Sequence, residues 1–477
     1  MFVGRNDELG FLNEKYESNR AEFVVIYGRR RIGKTALIKE FIKDKKHIFY
    51  SAVQITDNVQ LEKLSTIILN AFDTKTYTEK FGDWELLFRF LADQCSDKEK
   101  NVIVLDEFPY MVESNQSLPS VLQKIWDHYF KDLNVMFIIS GSSMSFMEKE
   151  ILSEKNPLYG RTTGILRIEE LGFEVSRAFM GDGSLSLHMD YYSIFSGVPY
   201  YLSLIDPKAS LRENIKSNIL KNGSVLFNEV EFLLKQELRE VAQYNAIIES
   251  IALGDAKLND IYQKTGIEKT KLPYYLGGLI DLGIVKKEYP STIKVREQAK
   301  RRSGIYKIDN SYFRFYYSFV YPYISELMEG NIDVILEDVI MERLSMFTST
   351  EFEKVAIAHL RELVKSGQVP IRPVRIGRWW NKNTKIDIVA YDLNGFFMFG
   401  ECKWRNEKVS VKVLNHLKHK SQLIETVVNE KCYILFSKSG FTKDLIAYSK
   451  EVNNLILVDY SGLHSVVISQ DNRAGRH

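Results

Sequence analysis

The sequence predicts an α/β multidomain protein, and three observations carry that expectation. At 477 residues the chain is too long for one hydrophobic core and leaves room for roughly three domains. Residues 1–185 alternate short β-branched or aromatic runs with helical patterns, the signature of a parallel sheet flanked by helices. From residue 346 a second α/β pattern runs to about 470. Between these halves, residues 186–235 read as mostly helical, residues 236–320 as three helices and a basic ribbon, and residues 321–345 as a helical connector.

Within the first half, residues 23–27, 47–52, 102–105 and 135–140 read as strands. Their near-continuous apolar character fits strands buried on both faces. The strand at 23–27 leads into Gly28-Arg29-Arg30-Arg31-Ile32-Gly33-Lys34-Thr35, which matches GxxxxGK[ST] without a departure, and a helix follows from Thr35 to about Ile42. Strand before and helix after are the context that a phosphate-binding loop requires. Glycines let the backbone wrap phosphates with its N–H groups inward, and the helix start adds its positive end. The expected nucleotide contacts are Gly28, Arg31, Ile32, Gly33, Lys34, Thr35 and Ala36. Lys34 would neutralise β- and γ-oxygens, and the Thr35 hydroxyl would be a magnesium ligand.

The strand at 102–105 ends in Asp106-Glu107. Two adjacent acids at the end of a buried strand are costly unless a cation or a reaction uses them. Asp106 is expected to hold magnesium, and Glu107 to orient or deprotonate an attacking water.

With these motifs in place, the chain resembles archaeal-type P-loop ATPases, a branch near the AAA and STAND NTPases. Relatives open on a VGR-x-x-E-L segment, and Val3-Gly4-Arg5 stands here with Glu8-Leu9 in register. The resemblance implies that Val3 and Arg5 help clamp the adenine of ATP. Ile138-Ile139-Ser140-Gly141-Ser142-Ser143 is similar to the sensor strand, which places Ser142 near the γ-phosphate. Pro157-Leu158-Tyr159-Gly160-Arg161 is similar to the family's PLYGR segment. Arg161 then has two readings: an arginine that senses γ-phosphate, or a surface ion pair. Gly197-Val198-Pro199 is either the lid motif of the STAND branch, with Pro199 on the base, or a plain helix break.

The order of elements in 236–320 is that of a winged helix-turn-helix. Its hairpin carries Lys294, Arg296, Lys300, Arg301 and Arg302 against the single acid Glu297, enough local charge for DNA phosphates. A solvated basic loop on a lid or protein-interaction module is the alternative.

In the last domain, residues 385–390 and 396–404 read as strands joined through Asp392-Leu393-Asn394-Gly395. Phe397, Phe399, Glu401 and Lys403 share one face by period two. A three-residue loop with Gly395 left-handed sets Asp387 opposite Glu401, whereas a two-residue Asn-Gly loop sets it opposite Cys402. Opposed carboxylates repel unless a metal ion lies between them. The Asp…Glu-x-Lys set, with Glu353 on a preceding helix at 351–363, resembles the PD-(D/E)XK restriction-endonuclease-like nucleases. Residues 346–460 also resemble the domain of unknown function that follows this ATPase, through Gly377, Trp379, Trp380, 386–389 and 400–404. The resemblance implies Glu353, Asp387, Glu401 and Lys403 as site residues, with Asp387 and Glu401 on the metal, or a degenerate fold kept for binding. Arg372, Arg375 and Arg378 would track a phosphate backbone or sit as solvated charge.

Composition limits the alternatives. Hydrophobic residues at 45% and charged residues at 26% are those of a globular chain, and a net charge of +2 names no partner. Cys95, Cys402 and Cys432 form no CxxC pair, and the apolar runs fall short of the ~20 residues that cross a bilayer. The resulting expectation is a cytoplasmic protein without membrane contact that uses ATP and Mg2+ and binds DNA through the winged helix and the C-terminal domain. A homo-oligomer follows if an arginine acts in trans.

Overall fold

The computed structural model describes residues 2–72, 80–95, 99–298, 304–424 and 428–468. These form two compact units. The first holds the described residues up to Leu171 together with Val198–Tyr200; the second holds Gly172–Gly197 and the described residues from Tyr201 onward. Lys300, Arg301, Arg302 and the tail at 471–477 lie outside the described residues.

The first unit is built on five parallel strands: β1 (Glu22–Tyr27), β2 (His47–Ser51), β3 (Asn101–Asp106), β4 (Val135–Gly141) and β5 (Gly164–Arg167). They lie in the order β2-β3-β4-β1-β5. Every residue of β1, β3 and β4 is buried, as expected for continuous apolar runs covered by helices on both faces. Phe23 and Phe137, register partners on β1 and β4, meet edge to face at 5.4 Å, and Trp126 closes the same layer. The edge strand β5 was not among the strands expected. Its alternating half-buried and exposed residues make no apolar run, so only pairing with β1 defines it.

In the second unit, helices Val241–Ala252, Leu258–Thr265 and Leu272–Asp281 precede an antiparallel ribbon of β6 (Val285–Glu288) and β7 (Ile305–Ile308). The helix Glu342–Lys365 runs well beyond the expected 351–363. It packs on one face of a six-stranded sheet ordered β13-β12-β11-β10-β9-β8. Strands β8 (Arg375–Trp380), β9 (Lys385–Tyr391) and β10 (Phe396–Lys403) form an antiparallel meander. Strands β11 (Glu430–Ser437) and β12 (Leu455–Asp459) then run parallel to β10, and β13 (Val466–Ile468) closes the edge.

Period two explains the two cores of this sheet. Met398 and Ile388 join Phe352, Ala356 and Leu360 on one face, while Phe397 and Phe399 join Leu414, Leu417 and Leu445 on the other. Phe173, Leu185 and Met189 belong to the first of these cores. Residues 172–185, expected in the N-terminal domain, therefore fold with the second unit because their apolar side chains complete its core. No helix among the described residues is long and apolar enough to cross a membrane.

Candidate functional site

Two groups of residues carry chemistry, one in each unit. The first lies where β1, β3 and β4 end. Gly28 leaves β1 so close to β5 that a Cβ would stand 2.5 Å from the Ile168 carbonyl oxygen, which excludes any larger residue. Gly33 closes the loop in the left-handed region, with φ 93°. Ile32 is buried beneath it, whereas Arg31 and Ala36 are exposed.

Lys34 is buried, and its Nζ donates to the Gly28 and Arg29 carbonyls at 2.9 and 3.0 Å. Thr35 Oγ1 donates to Asp106 Oδ2 at 2.9 Å. Asp106, only 1% exposed, also accepts from Ser51 at 3.3 Å and from Ser140. A carboxylate and hydroxyls gathered at the head of a phosphate loop form an oxygen-only set suited to a hard divalent cation. Glu107 sits next to it with φ 54° and ψ 44°, and Ser142 donates to its Oε2 from both backbone N (3.1 Å) and Oγ (2.8 Å).

Five non-glycine residues take positive φ among those described, and Arg5, Arg31 and Glu107 belong to this site. Such strain persists only where surrounding contacts enforce it. At Arg5 they are visible: the buried guanidinium donates to Glu8 (2.8 Å), the Ile32 carbonyl (3.0 Å) and the Glu169 carbonyl (2.6 Å). Arg5 was expected to clamp adenine. Its nitrogens instead tie the phosphate loop to the end of β5, while Val3 lies half-buried two residues away. Arg31 stacks over the Tyr200 ring at 4.6 Å, and Pro199 Cγ lies 3.7 Å from where a Gly33 Cβ would be. The Val198–Tyr200 segment therefore packs beside the loop.

Arg161 is not brought to this site within the chain. Thr163 bonds to Phe23 at the start of β1, whereas the phosphate loop follows its end, a separation of roughly 20 Å for a strand of this length. There the guanidinium pairs with both oxygens of Asp127, at 3.2 and 2.8 Å, and caps the Pro157 and Tyr159 carbonyls.

Sequence reasoning passed over several residues here. Ser51 carries no motif, and neither the Ser140 bond to Asp106 nor the Arg30–Tyr110 bond (2.9 Å) could be read from the motifs that contain Ser140 and Arg30. The polar end of β4 was the only signal pointing toward Ser142.

The second group lies at the ends of β9 and β10. The pairs Phe397↔Tyr391 to Gly400↔Ile388 give the register of the three-residue loop, and Gly395 has φ 79°. The pairing ends at Gly400↔Ile388, and the register against β8 shifts between Gly377 and Trp379, so the expected opposition of Asp387 to Glu401 is not among the pairs. Asp387 Oδ2 accepts from Cys402 N at 3.0 Å. Both acids are nearly buried, and cations compensate them. Lys385 bridges Asp387 (3.2 Å) and Glu353 (2.7 Å), while Lys403 (2.8 Å) and Lys420 (3.1 Å) meet Glu401. Among the described residues, no three acidic, histidine or cysteine side chains converge closely enough to hold a metal ion. Glu353 and Asp387 share Lys385 as an ion-pair partner.

Arg378 departs from expectation. Rather than tracking a backbone from solvent, it is buried and pairs with Glu353 at 3.1 Å and with Glu288 of β6 at 3.3 Å. Burial alone would raise the Glu288 carboxyl, but Arg378, Lys286 and Lys307 outweigh it and hold it at about 2. Strand β8, unforeseen because it is rich in arginine and glycine, is what carries Arg378 inward. Arg372 stays exposed, and Arg375 reaches the Ile293 carbonyl.

Comparison with known proteins is consistent with two joined parts. Residues 2–205 match a family described as an ATPase domain predominantly from Archaea. Residues 316–415 match one described as archaeal and bacterial proteins of unknown function. An uncharacterized protein of Methanocaldococcus jannaschii is 35% identical over 447 residues, covering 93% of this chain and 97% of its own. An uncharacterized ATP-binding protein of the same organism is 54% identical over 46 residues, 10% of this chain and 78% of its own. Among solved structures, a Walker-type ATPase of Pyrococcus abyssi is 18% identical with a TM-score of 0.49, covering 66% of this chain and 96% of its own. The ORC2 protein of Aeropyrum pernix, solved with ADPNP and ADP, is 14% identical with a TM-score of 0.41, covering 71% and 95%.

Proposed function

We propose a function from one premise: the chain belongs to the family of the first Methanocaldococcus jannaschii protein, with an archaeal-type ATPase domain ahead of a domain of unknown function. The protein binds and hydrolyses ATP in its first unit, and the cycle drives an action on DNA at the acids of its second.

The observation that carries the first half is the Thr35–Asp106 hydrogen bond at the head of the phosphate loop. Magnesium, held by Thr35 and Asp106, would supply positive charge against the phosphates. Lys34 exchanges its bonds to loop carbonyls for β- and γ-oxygens, and the N–H groups of the Gly28–Gly33 loop hold the phosphate chain. Glu107 orients the attacking water and accepts its proton. Val3 and Pro199 border the base, and Arg5 keeps the loop in shape. Arg161, lying at the far end of the sheet, would act on a neighbouring copy in a homo-oligomer.

The two nearly buried acids at the ends of β9 and β10, Asp387 and Glu401, with Lys403 two residues on, support a restriction-endonuclease-like reading of the second unit. Asp387 and Glu401 would hold a divalent cation there, and Lys403 would position a water beside a phosphodiester. Glu353 sets the cationic side of this group through Lys385 and Arg378. The three helices and ribbon before it, read as a winged helix, would add DNA contacts. The test is cleavage of single-stranded, duplex and branched DNA with Mg2+ or Mn2+, with and without ATP, by wild type and Lys403→Ala. Cleavage lost in the variant supports the reading.

A second reading is favoured by the cations on the acids. Lys385, Lys403 and Lys420 already neutralise Asp387 and Glu401, as a binding surface would. In that case the protein is a STAND-like ATP switch whose C-terminal domain only docks DNA or protein, and no substrate is cut while ATP hydrolysis persists.

A further inference from the structure

A cavity of 260 Å³ opens between the ribbon and the β8–β9 hairpin. Lys307 of β7, Arg378 and Trp380 of β8, Lys382 of the turn and Lys385 of β9 line it, and no acidic residue does. Four cations on one cavity wall form the first observation.

Arg378 supplies the second. Its side chain is 3% exposed, and its Nη2 has no hydrogen-bond partner among the described residues. Its Nε, although 3.1 Å from Glu353, is not aligned as a hydrogen bond. A buried guanidinium N–H without an acceptor is costly, and arginine is the side chain best matched to a phosphate. Burial first, and Arg378 next, push the Lys307 amine down to about 8, against the opposing pull of Glu288. Lys307 also pairs with Glu288 at 3.4 Å, so the wall's cations are partly compensated from behind while the cavity itself is lined by no acid.

The third observation is continuity. Lys385 lines the cavity and also pairs with Glu353 and Asp387, so the cavity opens beside these two acids. The turn that presents Lys382 is held by Asn381 Oδ1, which accepts from Asn383 N at 3.0 Å and Thr384 N at 2.8 Å. The half-buried Trp380 adds a flat apolar face, which an isolated phosphate ion would not use but a nucleobase would.

We propose that this cavity is a phosphate subsite for a nucleic-acid strand passing the Asp387–Glu401 pair, with Lys307, Arg378, Lys382 and Lys385 on the phosphate and Trp380 against a base. The inference rests on the reading of those acids as a DNA-acting site. It adds the ribbon, through Lys307, to the residues that choose where the strand lies.

The test is fluorescence anisotropy of a labelled single-stranded oligonucleotide with the full-length chain, in Ca2+ to suppress cleavage, across a salt series. Lys382→Ala, at an exposed position that folding does not need, should weaken binding about fivefold and lower the salt slope by about one. Lys307→Gln with Lys382→Ala should lower it by about two, and Trp380→Ala should weaken binding with the slope unchanged. If wild type binds and the lysine variants bind equally well, the subsite is overturned while the DNA-acting reading stands. If wild type binds no oligonucleotide, both are overturned. Inorganic phosphate displacing the strand at millimolar concentration would identify a free-anion site and overturn the subsite alone.

Discussion

Thr35 and Asp106, 71 residues apart in sequence, meet in a hydrogen bond of 2.9 Å. It joins the helix behind the phosphate loop to the end of β3, although β4 lies between β1 and β3 in the sheet. The loop and the acid are thereby presented to the same point.

Lys34→Ala should abolish nucleotide binding or weaken it by about 10- to 100-fold, the range for losing a charged hydrogen-bond donor. Titration with a fluorescent ATP analogue measures this. Unchanged affinity and ATPase activity would refute the phosphate-site assignment.

Glu107→Gln should leave ATP bound and slow hydrolysis by about 10²- to 10⁴-fold, as expected for a lost general base. Ser142→Ala, which removes the hydroxyl but keeps the backbone N–H donor to Glu107, should lower turnover less and leave ATP affinity alone. Single-turnover hydrolysis separates the two effects.

Arg5→Ala should destabilise the first unit by about 1–3 kcal/mol, because the buried Ile32 carbonyl and the part-buried Glu169 carbonyl lose a charged donor. Thermal unfolding without nucleotide reads that loss. Arg5→Lys should recover only part, since one ammonium cannot reproduce the guanidinium fork.

Glu288 makes acid sensitivity local. Its folded-state carboxyl is held at about 2 against an ordinary 4.5, so the unfolded state binds the proton more readily. The stabilisation is complete above about pH 4.5, where it is worth roughly 2–4 kcal/mol, and fades as pH falls toward 2. Hydrogen exchange across β6 and β7 should accelerate between pH 4.5 and 3 in wild type. In Glu288→Gln it should already be fast at pH 7.

Lys307 should give DNA binding an alkaline limit. Its amine is held at about 8 by burial and by Arg378 and Lys385 facing it, against Glu288 and Glu353. Raising pH from 7 to 9 removes its charge while an ordinary lysine keeps its own. Oligonucleotide affinity at constant salt should fall about three- to tenfold over that interval in wild type, and much less in Lys307→Gln.

The sequence made local features legible wherever chemistry is carried by neighbours in the chain. Three of the five N-terminal strands are buried apolar runs, the phosphate loop is a contiguous string, and Gly395 sets the β9–β10 register through a single turn. Strands β5 and β8 escaped because neither has an apolar pattern; each exists by pairing with a partner strand. The ion pair of Arg161 and the burial of Arg378 went undecided for the same reason, since nothing in their own segments says which end of a strand or which face of a sheet they reach.

By itself, then, the sequence determined that this protein has a phosphate loop, acids at a strand end and an Asp…Glu-x-Lys hairpin, because backbone geometry over a few residues dictates each. Tertiary structure decided who meets whom: Ser142 on Glu107, Arg5 on the loop carbonyls, Lys385 between Glu353 and Asp387, and Arg378 between Glu288 and Glu353. Those partners are brought together by packing across distant segments, where burial makes an unpaired charge costly and so selects its companions.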